Sequence, residues 1–169
     1  MEKIEWLNAL PQEEAEAELL KCCGSTEWAR SVAQQRPFHG LQQLFESADR
    51  LWRNLGRQGW LEAFSRHPKI GEKPAAGHGS AEVRRWSEEE QSGTRSAAQQ
   101  TLEALREANR AYEDRFGYIF IVCATGKTSE EMLALLRRRL QNDPETELRI
   151  AAEEQRRITH LRLKKLLEQ

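Results

Sequence analysis

Disulfide frameworks, long apolar runs and a surplus of either charge are all missing from this sequence. Its three cysteines, two of them adjacent (Cys22, Cys23), do not make the paired pattern of a small secreted domain. With no apolar signal segment at the N-terminus, they point to a reducing compartment. The longest apolar stretch, "YIFIVCA" from Tyr118 to Ala124, falls far short of the roughly 20 residues a bilayer-spanning helix needs. A cytoplasmic protein without membrane contact is expected. Lys and Arg number 26 against 27 Asp and Glu, leaving a formal net charge of −1. Nucleic-acid binding usually requires a net basic face. Here the local basic groups (Arg137, Arg138, Arg139; Arg156, Arg157; Lys164, Lys165) are interleaved with glutamates, which argues against that class.

What is present is helix. A chain of 169 residues suits one domain, residues 1–169, able to bury roughly 70% of its unfolded surface. There is no internal repeat and no low-complexity tract. Pro11 opens a helix that Gly24 closes, and a second covers about residues 27–35. Leu41, Leu44, Phe45, Ala48, Leu51, Trp52 and Leu55 recur at helical spacing before Gly56. "WLEAFSR" adds a short turn of helix. "SEEEQ" opens a long helix over about residues 88–115. Thr128 and Glu131 form a capping box for a helix ending near Leu140. Asp143-Pro144 starts a last helix that reaches nearly to the C-terminus. The expected fold is all-α, a single compact domain of seven or eight helices with little or no sheet. "FGYIFIVCATG" interrupts the helical pattern as either a buried extended piece or a tightly packed turn.

Proline and glycine concentrate in one place: Pro68, Gly71, Pro74, Gly77 and Gly79. A loop this long in a compact domain is more often functional than idle, and the irregular stretch is expected to run from residue 67 to 86. At its head stands "SRHPKIGEK". Proline pushes the preceding residue out of the α region, so His67 ends a helix on a stiff turn. Near its ordinary pKa an imidazole exchanges protons at neutral pH. The bland alternative is a structural or solvated histidine.

Ser87 and Glu90 read first as a capping box. The same helix N-terminus would also offer free N–H groups to an anion, with Glu90 and Gln91 one turn in. On a wheel of about 100° per residue, Arg162 falls within the arc of Leu148, Ile158, Leu163 and Leu166. It either snorkels to the rim or grips an anion with its two-pronged fork. Cys123, flanked by apolar residues, reads as an inert thiol rather than a nucleophile. His39, His78 and His160 have no partner at metal-ligand spacing, so no metal site is expected. Gly117 and Gly126 bracket the apolar segment without forming a phosphate loop.

Taken in order, "HPKIGEK", "SEEEQ", "YEDRFGYIFIVCATGKTSEEMLALLRRRLQNDPETEL" and "RRITHLRLKKLL" resemble 2-oxo-4-hydroxy-4-carboxy-5-ureidoimidazoline (OHCU) decarboxylases along nearly the whole chain. The resemblance implies an all-helical, cofactor-free carboxy-lyase, often a homodimer, that converts OHCU to (S)-allantoin in urate breakdown. The family's catalytic pair matches His67 and Glu90. Its substrate contacts match Pro68, Ser87, Gln91, Arg162 and the backbone of Phe120, Ile121, Val122, Cys123 and Ala124. Many members follow His-Pro with Asp-Leu-Ala-Gly. The Lys69-Ile70-Gly71-Glu72 found here is associated with a bacterial branch. Nothing in the family's pattern carries over to residues 73–86. Some relatives are fused to a transthyretin-like hydrolase domain, for which this chain length leaves no room. Two rivals stand beside this reading: a non-enzymatic helical interaction domain, and another small-ring lyase or isomerase using the same acid–base pair.

The chemistry suits the residues. The ring bears a carboxylate and a hydroxyl on one carbon beside a C=N bond, which can accept the electrons as carbon dioxide leaves. Chelators are therefore expected to leave activity unchanged. Full inhibition by EDTA reversed by added metal would reveal an unrecognised metal site.

Overall fold

In a computed structural model of the chain, the structure describes residues 2–70, 80–92 and 99–168. Gly71, Glu72, His78 and the rest of 71–79 lie outside that set, as does the 93–98 part of the expected long helix. The described residues contain nine helices and no strand: α1 (Glu2–Ala9), α2 (Gln12–Cys22), α3 (Thr26–Gln34), α4 (Leu41–Arg53), α5 (Arg57–Ser65), α6 (Ala81–Glu90), α7 (Gln99–Phe116), α8 (Ser129–Arg139) and α9 (Pro144–Glu168). The all-helical expectation holds. Helix α1 is additional to the sequence reading, because its eight residues carry only a weak apolar stripe.

Two expectations are corrected. The single helix expected over about residues 88–115 is not one element, since α6 ends at Glu90 and α7 begins at Gln99. The segment after the glycine-rich stretch does not stay irregular to residue 86, and no helix begins at Ser87. Helix α6 starts at Ala81, where the Ser80 side chain accepts from the Val83 N–H. Ser80 is thus the cap, and Ser87 and Glu90 sit in the last turn. The physical reason is Trp86. It is 1% exposed, and a large ring is buried by a helix already formed around it more readily than by a loop with unpaired backbone groups.

The chain forms two compact units, residues 1–63 with 156–169, and residues 64–155. In the first, Ser25 caps α3 by accepting from the Trp28 N–H, and the fully buried Trp28 indole donates to the Ala48 carbonyl at 3.0 Å. Leu7, Leu19, Val32, Leu44, Trp52 and Leu163 fill this core. Leu41 stays exposed because it opens α4, before the stripe turns inward. Arg36 satisfies the end of α1 and the following turn, donating to the carbonyls of Leu7 and Leu10 at 2.9 and 2.6 Å.

In the second unit, α7 ends on Gly117 at φ +83°, and Gly126 at φ +78° closes the segment that follows. Left-handed backbone at both points is easy only for glycine. Between them Tyr118 and Phe120 to Ala124 are buried without helix or strand. Thr128 and Glu131 make the expected capping box at α8. Asp143 opens α9, its carboxylate accepting from the Thr146 N–H and hydroxyl.

The buried segment is pinned by one network. Arg139, 6% exposed, donates to Glu147 through Nε and Nη2 at 2.9 and 2.6 Å, and through Nη1 to the Ile121 carbonyl at 2.7 Å. Its guanidinium lies 4.4 Å from the Phe120 ring centroid. The Tyr112 hydroxyl donates to the same carboxylate at 2.5 Å. Burial holds that phenol far above its ordinary pKa, so it remains a neutral donor. Breaking a buried pair leaves an uncompensated charge. Arg139→Met is therefore expected to cost about 3–5 kcal/mol in denaturant unfolding. The double variant Arg139→Met/Glu147→Leu should recover much of that loss. A single variant within about 1 kcal/mol of wild type would contradict the assignment.

Candidate functional site

His67 follows directly on α5. Its backbone N–H donates to the Phe64 carbonyl at 3.3 Å, and Pro68 restricts the next step of the chain. The ring is fixed as well: Nε2 lies 2.5 Å from Oε1 of Gln155 on α9. Gln155 is fully buried (0% exposed). The half-buried His67 is thus held at both ends. Immediately after it, Lys69 pairs with Glu113 at 3.1 Å, and the Ile70 carbonyl accepts from the buried Asn109 amide. These contacts seat the Lys69-Ile70 departure from the commoner family pattern on α7.

Glu90 and Gln91 lie at the end of α6, both partly exposed, while Ser87 is buried one turn back. The Gln91 N–H donates to the Ser87 carbonyl. Because Ser87 stands at the C-terminal end of its helix, the expected anion site at a helix N-terminus does not exist there. Cys123 gives the relation of this turn to the 120–124 backbone. Burial pushes its thiol up and the Lys127 ammonium draws it back. The carboxylates of Glu154 and Glu90 then push it up again. Of these charges, Glu90 is the weakest influence on the Cys123 thiol. The Lys127 ammonium donates to the Cys123 carbonyl at 2.8 Å.

Arg162 belongs to the first unit. It is 4% exposed, so the snorkelling alternative is set aside. Its Nη1 donates to the Lys21 carbonyl at 3.4 Å. Close by, burial raises the Cys23 thiol to about 12, opposed by the Ser25 N–H, the Thr159 hydroxyl and the Arg162 charge. Neither Cys23 nor Cys123 is a ready thiolate nucleophile.

Sequence reasoning missed Gln155, Glu154, Thr159 and Arg139. The available signal lay in α9, where Glu147, Glu154, Gln155, Thr159 and Arg162 are all buried along with Ala151, Ile158 and Leu163. Polar residues repeated at helical spacing on an otherwise apolar face are such a signal, because a buried polar group is more informative than an exposed apolar one. His160, by contrast, is occupied: it meets Asp49 at 2.6 Å and stacks on Phe45. Among the described residues no cluster of His, Cys, Asp and Glu could hold a metal ion.

An all-helical scaffold that tethers a half-buried histidine by ring and backbone offers a group suited to acid–base chemistry on a small molecule. The comparisons give the family. A family model described as OHCU decarboxylase matches residues 8–164. The uric acid degradation bifunctional protein TTL of Arabidopsis thaliana is 38% identical over 157 residues, covering 93% of this chain and 48% of that protein. This chain thus spans about half the length of that relative. The mouse 2-oxo-4-hydroxy-4-carboxy-5-ureidoimidazoline decarboxylase is 38% identical, with 82% of this chain and 78% of that one aligned. A crystal structure of OHCU decarboxylase in the presence of (S)-allantoin superposes with a TM-score of 0.78 at 38% identity, covering 90% of this chain and 99% of that one. The chain belongs to the OHCU decarboxylase family. Further relatives are bacterial and archaeal, so the likeness selects no branch.

The buried position of Arg162 makes Arg162→Lys a sharp substitution. Lysine keeps the charge and loses the rigid fork. A lost charged hydrogen bond is worth roughly 1.5–3 kcal/mol, so kcat/KM on OHCU should fall about tenfold to a hundredfold with the fold intact. Kinetics within about twofold of wild type would remove Arg162 from the site.

Proposed function

We propose that this chain decarboxylates OHCU to (S)-allantoin without a cofactor, with His67 and Glu90 as its acid–base pair. The observation that carries this reading is the match to decarboxylases of comparable length at 38% identity, one of them crystallised in the presence of (S)-allantoin. Within the second unit, the double tether on His67 supports it.

When carbon dioxide leaves, its bonding electrons pass into the adjacent C=N bond, whose nitrogen takes a proton. The remaining enol loses its hydroxyl proton while the neighbouring ring carbon gains one. One proton is consumed overall, and delivery to a single face gives a single enantiomer. His67 takes the substrate hydroxyl, and Glu90 manages protons beside it. Pro68, Ser87 and Gln91 contact the ring, as does the backbone of Phe120, Ile121, Val122, Cys123 and Ala124. Arg162 supplies two-point alignment. A network that fixes the Ile121 carbonyl also fixes the direction of the peptide groups next to it.

The assembly proposed is a homodimer, to be read by light scattering. The compartment proposed is the cytoplasm, which suits three buried free thiols. No helix among the described residues is long and apolar enough to cross a membrane. The Lys69-Ile70 variant fits a bacterial member of the family.

The test is time-resolved circular dichroism of freshly generated OHCU with and without the protein, since OHCU also decays unaided. The enzyme should accelerate its loss and give allantoin of one hand. His67→Ala and Glu90→Gln should each remain folded and lose about 10²- to 10⁴-fold of the rate. Racemic allantoin at the uncatalysed rate from the wild-type protein would defeat the proposal.

A further inference from the structure

Gln155 is fully buried on α9, and its side-chain oxygen stands 2.5 Å from Nε2 of His67. An amide oxygen only accepts hydrogen bonds, so the ring nitrogen facing it carries the proton. In a neutral imidazole the other nitrogen, Nδ1, is then the basic one. We infer that Gln155 is a positioning residue that holds His67 as the Nε2–H tautomer and so makes Nδ1 its basic nitrogen. This rests on the proposed role of His67.

The choice of an amide has a chemical consequence. A carboxylate in the same place would favour the imidazolium and tie up the base as a charged pair. Gln155 orients the ring without adding charge, so the imidazole can take a proton and release it within one turnover. The Phe64 carbonyl and Pro68 act on the His67 backbone and fix where the ring begins. Gln155 fixes how it is turned. Its own place is secured by the middle of a 25-residue helix, with Ala151, Ala152 and Ile158 buried around it.

The experiment is ¹⁵N NMR of histidine-labelled protein above the imidazole pKa, with the His67 signals assigned by their loss in His67→Asn. The wild type should show the Nε2–H tautomer at His67. Gln155→Leu, close in size and apolar, should lose that single tautomer. Its kcat should fall roughly tenfold to a hundredfold, as for one lost buried hydrogen bond. Gln155→Glu should move the acidic limb of the kcat/KM profile to higher pH by roughly one unit or more. A purely structural glutamine would lower the melting temperature and leave tautomer and pH limb in place. Should Gln155→Leu not fold, the wild-type tautomer and the Gln155→Glu profile still decide. An Nδ1–H tautomer in the wild type, or an unmoved limb in a folded Gln155→Glu, overturns the inference. Absence of OHCU turnover in the wild type would defeat the proposed function, while the tautomer measurement would still stand on its own.

Discussion

The buried pairing of Arg139 with Glu147 is the constraint on which the second unit depends. Removing both groups from water is costly, and their mutual attraction offsets this only when geometry and further hydrogen bonds are good. Here they are: three contacts between the charges, the Tyr112 hydroxyl, the Asn142 amide and the Ile121 carbonyl complete the set. An apolar substitute could hold the same volume. It could not fix the direction of the Ile121 carbonyl, which sits in a segment with no helix or strand to do so. The network therefore secures a non-repetitive backbone, and that backbone is where the proposed substrate contacts lie.

The same logic runs along α9. Its buried face alternates aliphatic residues with Glu147, Glu154, Gln155, Thr159 and Arg162. Four of these groups meet a specific partner: Arg139 for Glu147, His67 for Gln155, the Lys21 carbonyl for Arg162, the Cys23 thiol for Thr159. Seven residues on a helix return nearly to the same face, so Gln155 and Arg162 share one stripe of a continuous element. A helix makes a stiff mount, and side chains held on stiff mounts lose little entropy when they engage a ligand. Apolar neighbours supply the packing and the polar members supply the chemistry.

The cysteines show why residue type is a poor guide without burial. Both Cys23 and Cys123 stand beside groups proposed for the site, and Lys127 and Arg162 each favour a thiolate. Burial outweighs those charges at both positions, so neither thiol competes with His67 for a role in proton transfer. The proposed acid–base pair, His67 and Glu90, by contrast remains partly open to solvent.

Much of this was legible in the sequence. Apolar periodicity, the Thr128 cap, the Asp143-Pro144 start and the absence of strand patterns gave the helical class, because these depend on residues within a few positions of one another. His67 was marked by Pro68 for the same local reason. The start of α6 was misplaced because two serines each begin a cap-like pattern, and only the burial of Trp86 decides between them. Arg139 looked like one of three solvated arginines, yet Arg137 and Arg138 are exposed while Arg139 is buried. Nothing local distinguishes the three; the position of Glu147 on another helix does. Gln155 was invisible for the same reason, being 88 residues from the histidine it holds. The sequence by itself determined the helical class and most of the helices, and it marked the histidine. Tertiary structure decided which charged and amide groups meet, because desolvation and hydrogen-bond geometry are properties of neighbours in space.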